Sequence, residues 1–443
     1  MERDRGFYKI CFLLITVYLL CAGIMTGCSV TSSVDADEAN GTEIGEIKTE
    51  FTTEEFLADY DKLWEILEED YIYFPVLESR GIDPKALKET TRKQLEDRIT
   101  DLDGFYYLLN SMFGKMQYFA HLSVVDSLSF EVYGKYYNAE DAEKNGWQSA
   151  LQNPQTKGIY EYLKGMSEAS DGAEESDGLE APDMSEESDR SDAGESSFRE
   201  VEAAYDAQRK AVTFGITTFH DAVLERDRNF ISEYLSSLDD AEIEHIIFDI
   251  SGNRGGNDRY WLENIVSPFG GSYEWTGWWY LRDTELTRNY FFSDFAPKPV
   301  GAVEDHILPE FVRELELTHF IKVRRQVSND AVLEENAMGA KRWVIIDGRV
   351  YSAADSFSNF CKATGWATLV GQPTLGDGQG ITPVLIALPE TGLLVRFSGS
   401  AAETSDGTLN AACGTEPDIR INPSVESSRE AINRLIEGRL PQG

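Results

Sequence analysis

The sequence predicts an α/β fold, a core sheet with helices packed on it, preceded by a small helical N-terminal unit. Three observations carry this. From Val212 onward, short apolar stretches of strand length are separated by helical ones. Between the first two of those stretches, Phe230, Ile231, Tyr234, Leu235 and Leu238 fall at helical spacing, and strand–helix–strand order implies helices covering a largely buried sheet. Nearer the start, Phe56, Tyr60, Leu63, Trp64 and Leu67 repeat with helical period behind Thr52-x-x-Glu55, which reads as a capping box.

In chain order, Arg3, Arg5 and Lys9 precede an apolar run from Ile10 to about Met25 that closes on Thr26-Gly27-Cys28. This pattern predicts a signal segment over 1–27. Small residues leading into a cysteine resemble the lipobox of bacterial lipoproteins. That resemblance implies a lipidated Cys28 as the first mature residue, and so an extracytoplasmic protein held at the membrane. The alternatives are a signal anchor or cleavage elsewhere, although the run is short for a spanning helix. Residues 28–50 are small and polar, as a tether is. A helical unit over 51–125 follows, with a second helical stretch from about Lys85 to Met116. Residues 126–211 are expected to be irregular. They include an acidic run over about 168–200 with almost no large apolar residue, which cannot bury enough surface to offset the entropy of ordering.

The α/β core is expected over 212–430, with a tail over 431–443. Its strands are Val212 to Phe219, His245 to Ile250, Trp343 to Asp347, Ala367 to Val370, Val384 to Leu388 and Leu393 to Phe397. The cluster Tyr273, Trp275, Trp278, Trp279 and Tyr280 reads as core or cap packing, with a cleft lining as the alternative.

A net charge of −38 argues against nucleic acid as a partner, since phosphates would be repelled. Behind the signal segment only Cys28, Cys361 and Cys413 remain, too few for a disulfide scaffold and without zinc-site spacing. Cys361 and Cys413 read as buried thiols, with pairing as the alternative. No metal and no cofactor are implied.

Two segments carry the chemistry. Asp249-Ile250-Ser251-Gly252-Asn253-Arg254-Gly255-Gly256 follows a buried strand directly, and a glycine turn there exposes backbone N–H groups able to hold an anion or a developing oxyanion. Gly348 to Asp355 follows a second strand and places Ser352 at the start of a helix ending near Gly365. Ser352-x-x-Asp355 is also a capping box, so helix capping stands beside a nucleophilic role at that serine. In the nucleophilic reading the Ala353 N–H, with that of Gly255 or Gly256, stabilises the oxyanion.

These segments resemble motifs of the tail-specific, or C-terminal processing, serine peptidases. Asp249 to Gly256 is similar to their D-x-R-x-N-x-G-G turn, and Ser352 to Asp355 to their S-A-x-E nucleophile motif. Gly371 to Gly376 and Gly414 to Ile419 are similar to two further motifs in the same order, and Phe113 to His121 to the upstream D-x-H element. The resemblance spans about Thr53 to Asn422 apart from the acidic run, and it implies Ser352 as nucleophile. Members with a serine–lysine dyad carry lysine where this chain has Asp377. No PDZ-like segment is visible. The branch resembling the tricorn core and the chlamydial protease-like factor uses a histidine base, which His121 matches, with a structural role for that buried histidine as the alternative. The glutamate that orients the base falls at Ala411, and Ser251, Phe119 and Ala120 also depart from the pattern. Glu403, Asp406 and Glu416 are the acids that stand as substitutes, while His220, His245, His306 and His319 read as structural.

The implied function is a serine peptidase cleaving peptides or unstructured protein tails by acyl transfer. The alternative is a weak or inactive pseudopeptidase that binds peptides or protein termini.

Overall fold

The computed structural model describes residues 47–137, 146–170, 198–238, 240–329, 337 and 339–439. The expected signal segment and Cys28, the tether as far as residue 46, and positions 171–197 of the acidic run lie outside the described residues.

The chain begins with helices. Thr52 caps the helix Thr53–Asp70 through the expected box with Glu55, and a cap of this kind contributes about 1 kcal/mol. The helical stretch expected from about Lys85 to Met116 is present as two helices, Pro84–Arg98 and Leu102–Lys115. The break falls where Ile99 turns extended and the Asp101 carboxylate takes the Gly104 N–H at 2.8 Å, restarting the helix. Residues 126–211, expected to be irregular, contain the helices Ser127–Tyr137, Gly146–Gln152 and Pro154–Ser170. The first and third of these starts were written in the sequence. Asp126 accepts from the Ser129 N–H and hydroxyl, and Asn153 accepts from the Gln155 N–H ahead of a helix that opens on proline.

Strands in chain order are β1 (Ser123–Val124), β2 (Glu202–Asp206), β3 (Ala211–Gly215), β4 (His245–Asp249), β5 (Gly271–Leu281), β6 (Lys298–Pro299) and β7 (His319–Asn329). They continue as β8 (Lys341–Ile346), β9 (Thr368–Gly371), β10 (Val384–Ala387), β11 (Leu394–Phe397), β12 (Ser400–Ala402) and β13 (Ile419–Arg420). The core sheet runs β13-β9-β8-β4-β3-β2. It is parallel from β13 to β3, and β2 pairs antiparallel at the edge. The helices Leu224–Ser236 and Ala353–Thr364 pack with one face of it through Ile231, Leu235, Phe357 and Phe360. On the other face, Ala431 and Ile432 of the helix Ser428–Ile436 meet Ile247, Trp343 and Ile345. The expected tail therefore opens with a packed helix turn rather than a loose end.

All six expected strands are present to within a few residues at their ends. The long pair β5–β7 was not foreseen. It is an 11-residue antiparallel ladder, and the aromatic cluster lies along β5, where alternating large side chains suit a pleated surface. Tyr273 and Trp275 set their rings 5.8 and 5.1 Å from Phe360, and Tyr280 is fully buried, so packing is what the cluster does. The N-terminal helices share one apolar core with β5, β7, β10 and β11. Among the described residues no helix is long and apolar enough to cross a membrane.

Candidate active site

The site lies at the carboxyl ends of β4, β8 and β9, where parallel strands leave turns free to carry chemistry. The turn after β4 is organised by Asn253, which is fully buried. Its Nδ2 donates to the Ile216 carbonyl at 3.0 Å, and its Oδ1 accepts the Gly255 N–H at 2.8 Å. Asp347, at the end of β8, accepts the Gly252 N–H at 3.0 Å and so ties the two turns together.

Ser352 stands between these turns with φ 51° and ψ −126°, a backbone conformation that costs a non-glycine residue of order 1–3 kcal/mol. Its N–H donates to the Gly376 carbonyl at 3.1 Å, and that of Tyr351 to the Asn253 carbonyl at 3.1 Å. The capping role open to Ser352 is not taken up, because its hydroxyl makes no cap bond to the helix Ala353–Thr364. The helix is instead steadied by Asp355, which points the other way. Fully buried, its carboxylate accepts from Thr374 at 2.5 Å, Thr415 at 2.7 Å, Asn410 at 2.8 Å and the Gly378 N–H at 3.1 Å. This one acid knits the motif around Thr374 to that around Thr415.

The two expected oxyanion donors after β4 are not equivalent. The Gly255 N–H is spent on Asn253, which corrects the expectation that either glycine serves. The N–H groups of Gly256 and Ala353 make no hydrogen bond to another described residue. The backbone of Gly255 packs so closely on the Tyr351–Ala353 segment that a Cβ there would stand 2.8 Å from the Ala353 nitrogen.

His121 arrives from the helical part of the chain on a strained segment. Gln117, Tyr118, Ala120 and His121 all have positive φ, between 47° and 62°. Such outliers persist only where the surroundings over-determine them. Here the Tyr71 hydroxyl donates to the Phe119 carbonyl at 2.8 Å, and the Ser398 N–H to the Ala120 carbonyl at 2.8 Å. The β1–β11 pairing clamps the residues that follow. The ring of His121 comes to 5.0 Å from that of Tyr351, next to the serine, and its Nε2 lies 3.4 Å from the Asp377 carboxylate. No hydrogen bond joins His121 to the Ser352 hydroxyl.

Asp377 is thus the acid facing His121. The substitutes named from the sequence are occupied elsewhere: Glu403 with Tyr280 and His306, Glu416 with Arg420, and Asp406 with Ser405. Both members of the His121–Asp377 pair are nearly sealed, with 11% and 6% of their side chains exposed. Burial pushes the Asp377 carboxyl up to about 7, against hydrogen bonds from Tyr351 and Ser398 that favour its ionised form. Burial, then the positive charges of Arg396 and Arg254, hold His121 well below its usual range, while a hydrogen bond with the Asp377 main chain opposes them. The imidazole is therefore neutral at pH 7, the form a general base needs.

The other histidines stand apart from this centre. His306 stacks on Trp278 at 4.1 Å, and the His220 ring caps the Ala222 N–H. His245 lies beside Trp343 and His319 beside Phe292. Both later cysteines are free, Cys361 buried but Cys413 exposed, which corrects its reading as a buried thiol. Among the described residues no cluster of three His, Cys, Asp or Glu side chains is placed to hold a metal ion.

Residues 213–421 match the model of Peptidase family S41. No curated protein matches the chain. Among solved structures it is similar to a candidate peptidase of Parabacteroides merdae, at 16% identity over 89% of this chain and 98% of that one, TM-score 0.49. It is similar to mature CPAF at 13% identity over 87% and 98%, TM-score 0.48. The tricorn protease aligns at 17% identity over 52% of this chain and 18% of its own, TM-score 0.28. Likenesses this distant say nothing of activity. The family match begins beyond His121, so the histidine is supplied from outside the matched region.

Proposed function

We propose that this chain, a tail-specific-peptidase-like member of peptidase family S41 through residues 213–421, is a serine peptidase acting outside the cytoplasm on peptides or unstructured protein tails. The Ser352 oxygen attacks the scissile carbonyl carbon while His121 takes its proton. The N–H groups of Ala353 and Gly256 receive the resulting oxyanion. His121 passes the proton to the departing amine, and water then hydrolyses the acyl-serine by the same steps. Asp377 turns the imidazole and, once ionised, stabilises the imidazolium. In resting serine sites the base need not touch the nucleophile, since that hydrogen bond tightens when substrate fills the site.

The observation that carries this reading is the 3.4 Å approach of His121 Nε2 to Asp377, beside the serine's own neighbour Tyr351. An oriented, buried, neutral imidazole next to a strained serine is what acyl transfer requires, and simple packing accounts for neither the strain nor the pairing. The location outside the cytoplasm, with Cys28 lipidated at the membrane, rests on the Arg3, Arg5, Lys9 and Thr26-Gly27-Cys28 pattern.

Labelling with a fluorophosphonate probe tests the mechanism. Wild type is expected to label at Ser352, Ser352→Ala to lose all label, and His121→Ala to slow labelling by a factor on the order of 10² or more. Folded wild type that takes no label at high probe concentration and alkaline pH would leave a peptide-binding protein without catalysis.

A further inference from the structure

Arg254 is out of keeping with a chain that has 78 acidic residues against 40 basic ones. Other arginines near these turns find carboxylates: Arg349, after β8, pairs with Asp347 at 2.8 Å, and Arg429, on the helix Ser428–Ile436, approaches Asp249 at 3.6 Å. Arg254 forms no ion pair and no hydrogen bond with another described residue, and its Nε is sealed from solvent without a partner. Its guanidinium lies over the Tyr351 ring, Cζ 5.6 Å from the centroid, and its charge reaches His121. It sits between Asn253, which fixes the turn, and the glycines beside Ser352.

A half-buried guanidinium without a counter-ion is unfavourable, because desolvation is not repaid by hydrogen bonds. Its five donors form a rigid planar fork matched to a carboxylate. The Tyr351 ring holds one face of that fork and leaves its edge for a ligand. The anion has to come with the substrate, because the carboxylates of these turns, Asp249 and Asp347, face Arg429 and Arg349 instead.

We propose that Arg254 is a specificity residue that binds a substrate carboxylate next to the scissile bond, from an Asp or Glu side chain or from the chain terminus. The proposal rests on reading the Ser352 site as one that takes peptides.

Binding to Ser352→Ala protein tests it without requiring turnover. Fluorescent hexapeptide mixtures are compared in matched pairs, one fixed Glu against Gln at each position, and a free C-terminal acid against its amide. At least one carboxylate member is expected to bind on the order of tenfold or more tightly than its neutral partner, and which pair responds identifies the source. In a second background, Arg254→Gln abolishes that preference, while Arg254→Lys keeps only part of it because the fork is lost. Equal binding of all pairs, no binding of any, or a preference that survives Arg254→Gln overturns the proposal. Should Arg254→Gln fail to fold, the paired comparison and Arg254→Lys decide. Fluorophosphonate labelling of wild type separates the two readings. Label without carboxylate preference removes only the role of Arg254, and preference without label removes only the nucleophile.

Discussion

The phenol of Tyr351 donates to the Asp377 carboxylate at 3.1 Å, and the same oxygen accepts the His121 backbone N–H at 3.3 Å. A single hydroxyl next to Ser352 thus fixes both His121 and the carboxylate behind it. Ser398 adds a second donor to Asp377 at 3.3 Å, and the same residue's N–H holds the Ala120 carbonyl. Asp377, which stands where a serine–lysine dyad would need its lysine, faces a histidine instead.

The pH dependence follows from that pair. With Asp377 near 7 and His121 already neutral below it, the labelling rate of wild type should rise through about pH 7 as the Asp377 carboxylate ionises. Asp377→Asn should lose that step and label slower by on the order of 10²-fold. Stability moves the other way. Because folding raises the Asp377 pKa above its usual value of about 4, the native state holds the proton more tightly, and stability falls as pH climbs from about 4 to 7. Asp377→Asn should therefore melt a few degrees above wild type at pH 8 and level with it at pH 4. An unchanged pH–rate profile in the variant would remove Asp377 from the mechanism.

Gly378 lies under Ser352. A methyl there would overlap the Ser352 carbonyl oxygen and the Ser356 nitrogen. Gly378→Ala should push Ser352 out of line and cut probe labelling by on the order of 10²-fold, since small misplacements of reacting groups are costly. Labelling at the wild-type rate would mean that the serine tolerates the shift.

Asp355 bears on stability more than on chemistry. Asp355→Ala takes their acceptor from the buried donors of Thr374, Asn410 and Thr415, while the Gly378 N–H keeps Asn410, and should destabilise the protein by about 3–5 kcal/mol. Denaturant unfolding measures this directly, and a loss below 1 kcal/mol would show that the motifs around Thr374 and Thr415 hold together without it.

For Cys28, fatty-acid metabolic labelling of the full chain in a bacterial host should tag wild type and not Cys28→Ala. Equal incorporation in both would refute lipidation at that residue.

The sequence made the parallel sheet and the turn that carries Ser352 legible because both are local. An apolar run followed by Asp249-Ile250-Ser251-Gly252 or by Gly348-Arg349-Val350-Tyr351 announces a strand ending in a turn wherever it lies in the chain. The β5–β7 ladder was hidden because its partners are separated by a long connection and its aromatics mimic core spacing. The role of Asp377 was hidden for a related reason. Residues 121 and 377 meet only because β1 pairs with β11 and Tyr351 bridges the gap, and no spacing rule contains that. The residue was visible as a departure from a motif, and only its proximity to His121 gave the departure a meaning. The spent N–H of Gly255 likewise depended on which way the Asn253 amide turns.

The pairing of β1 with β11 also sets an order of events during synthesis. A ribosome releases the chain from its N terminus, so His121 is made early, while Ser352, Asp377, β11 and Ser398 follow only near the end. Until that late segment emerges, residues 117–121 have the Tyr71 hydroxyl on the Phe119 carbonyl but not the Ser398 N–H on that of Ala120, and the imidazole has neither Asp377 nor Ser352 beside it. A chain that stops before β11 and Ser398 therefore carries His121 without the late partners that fix its place.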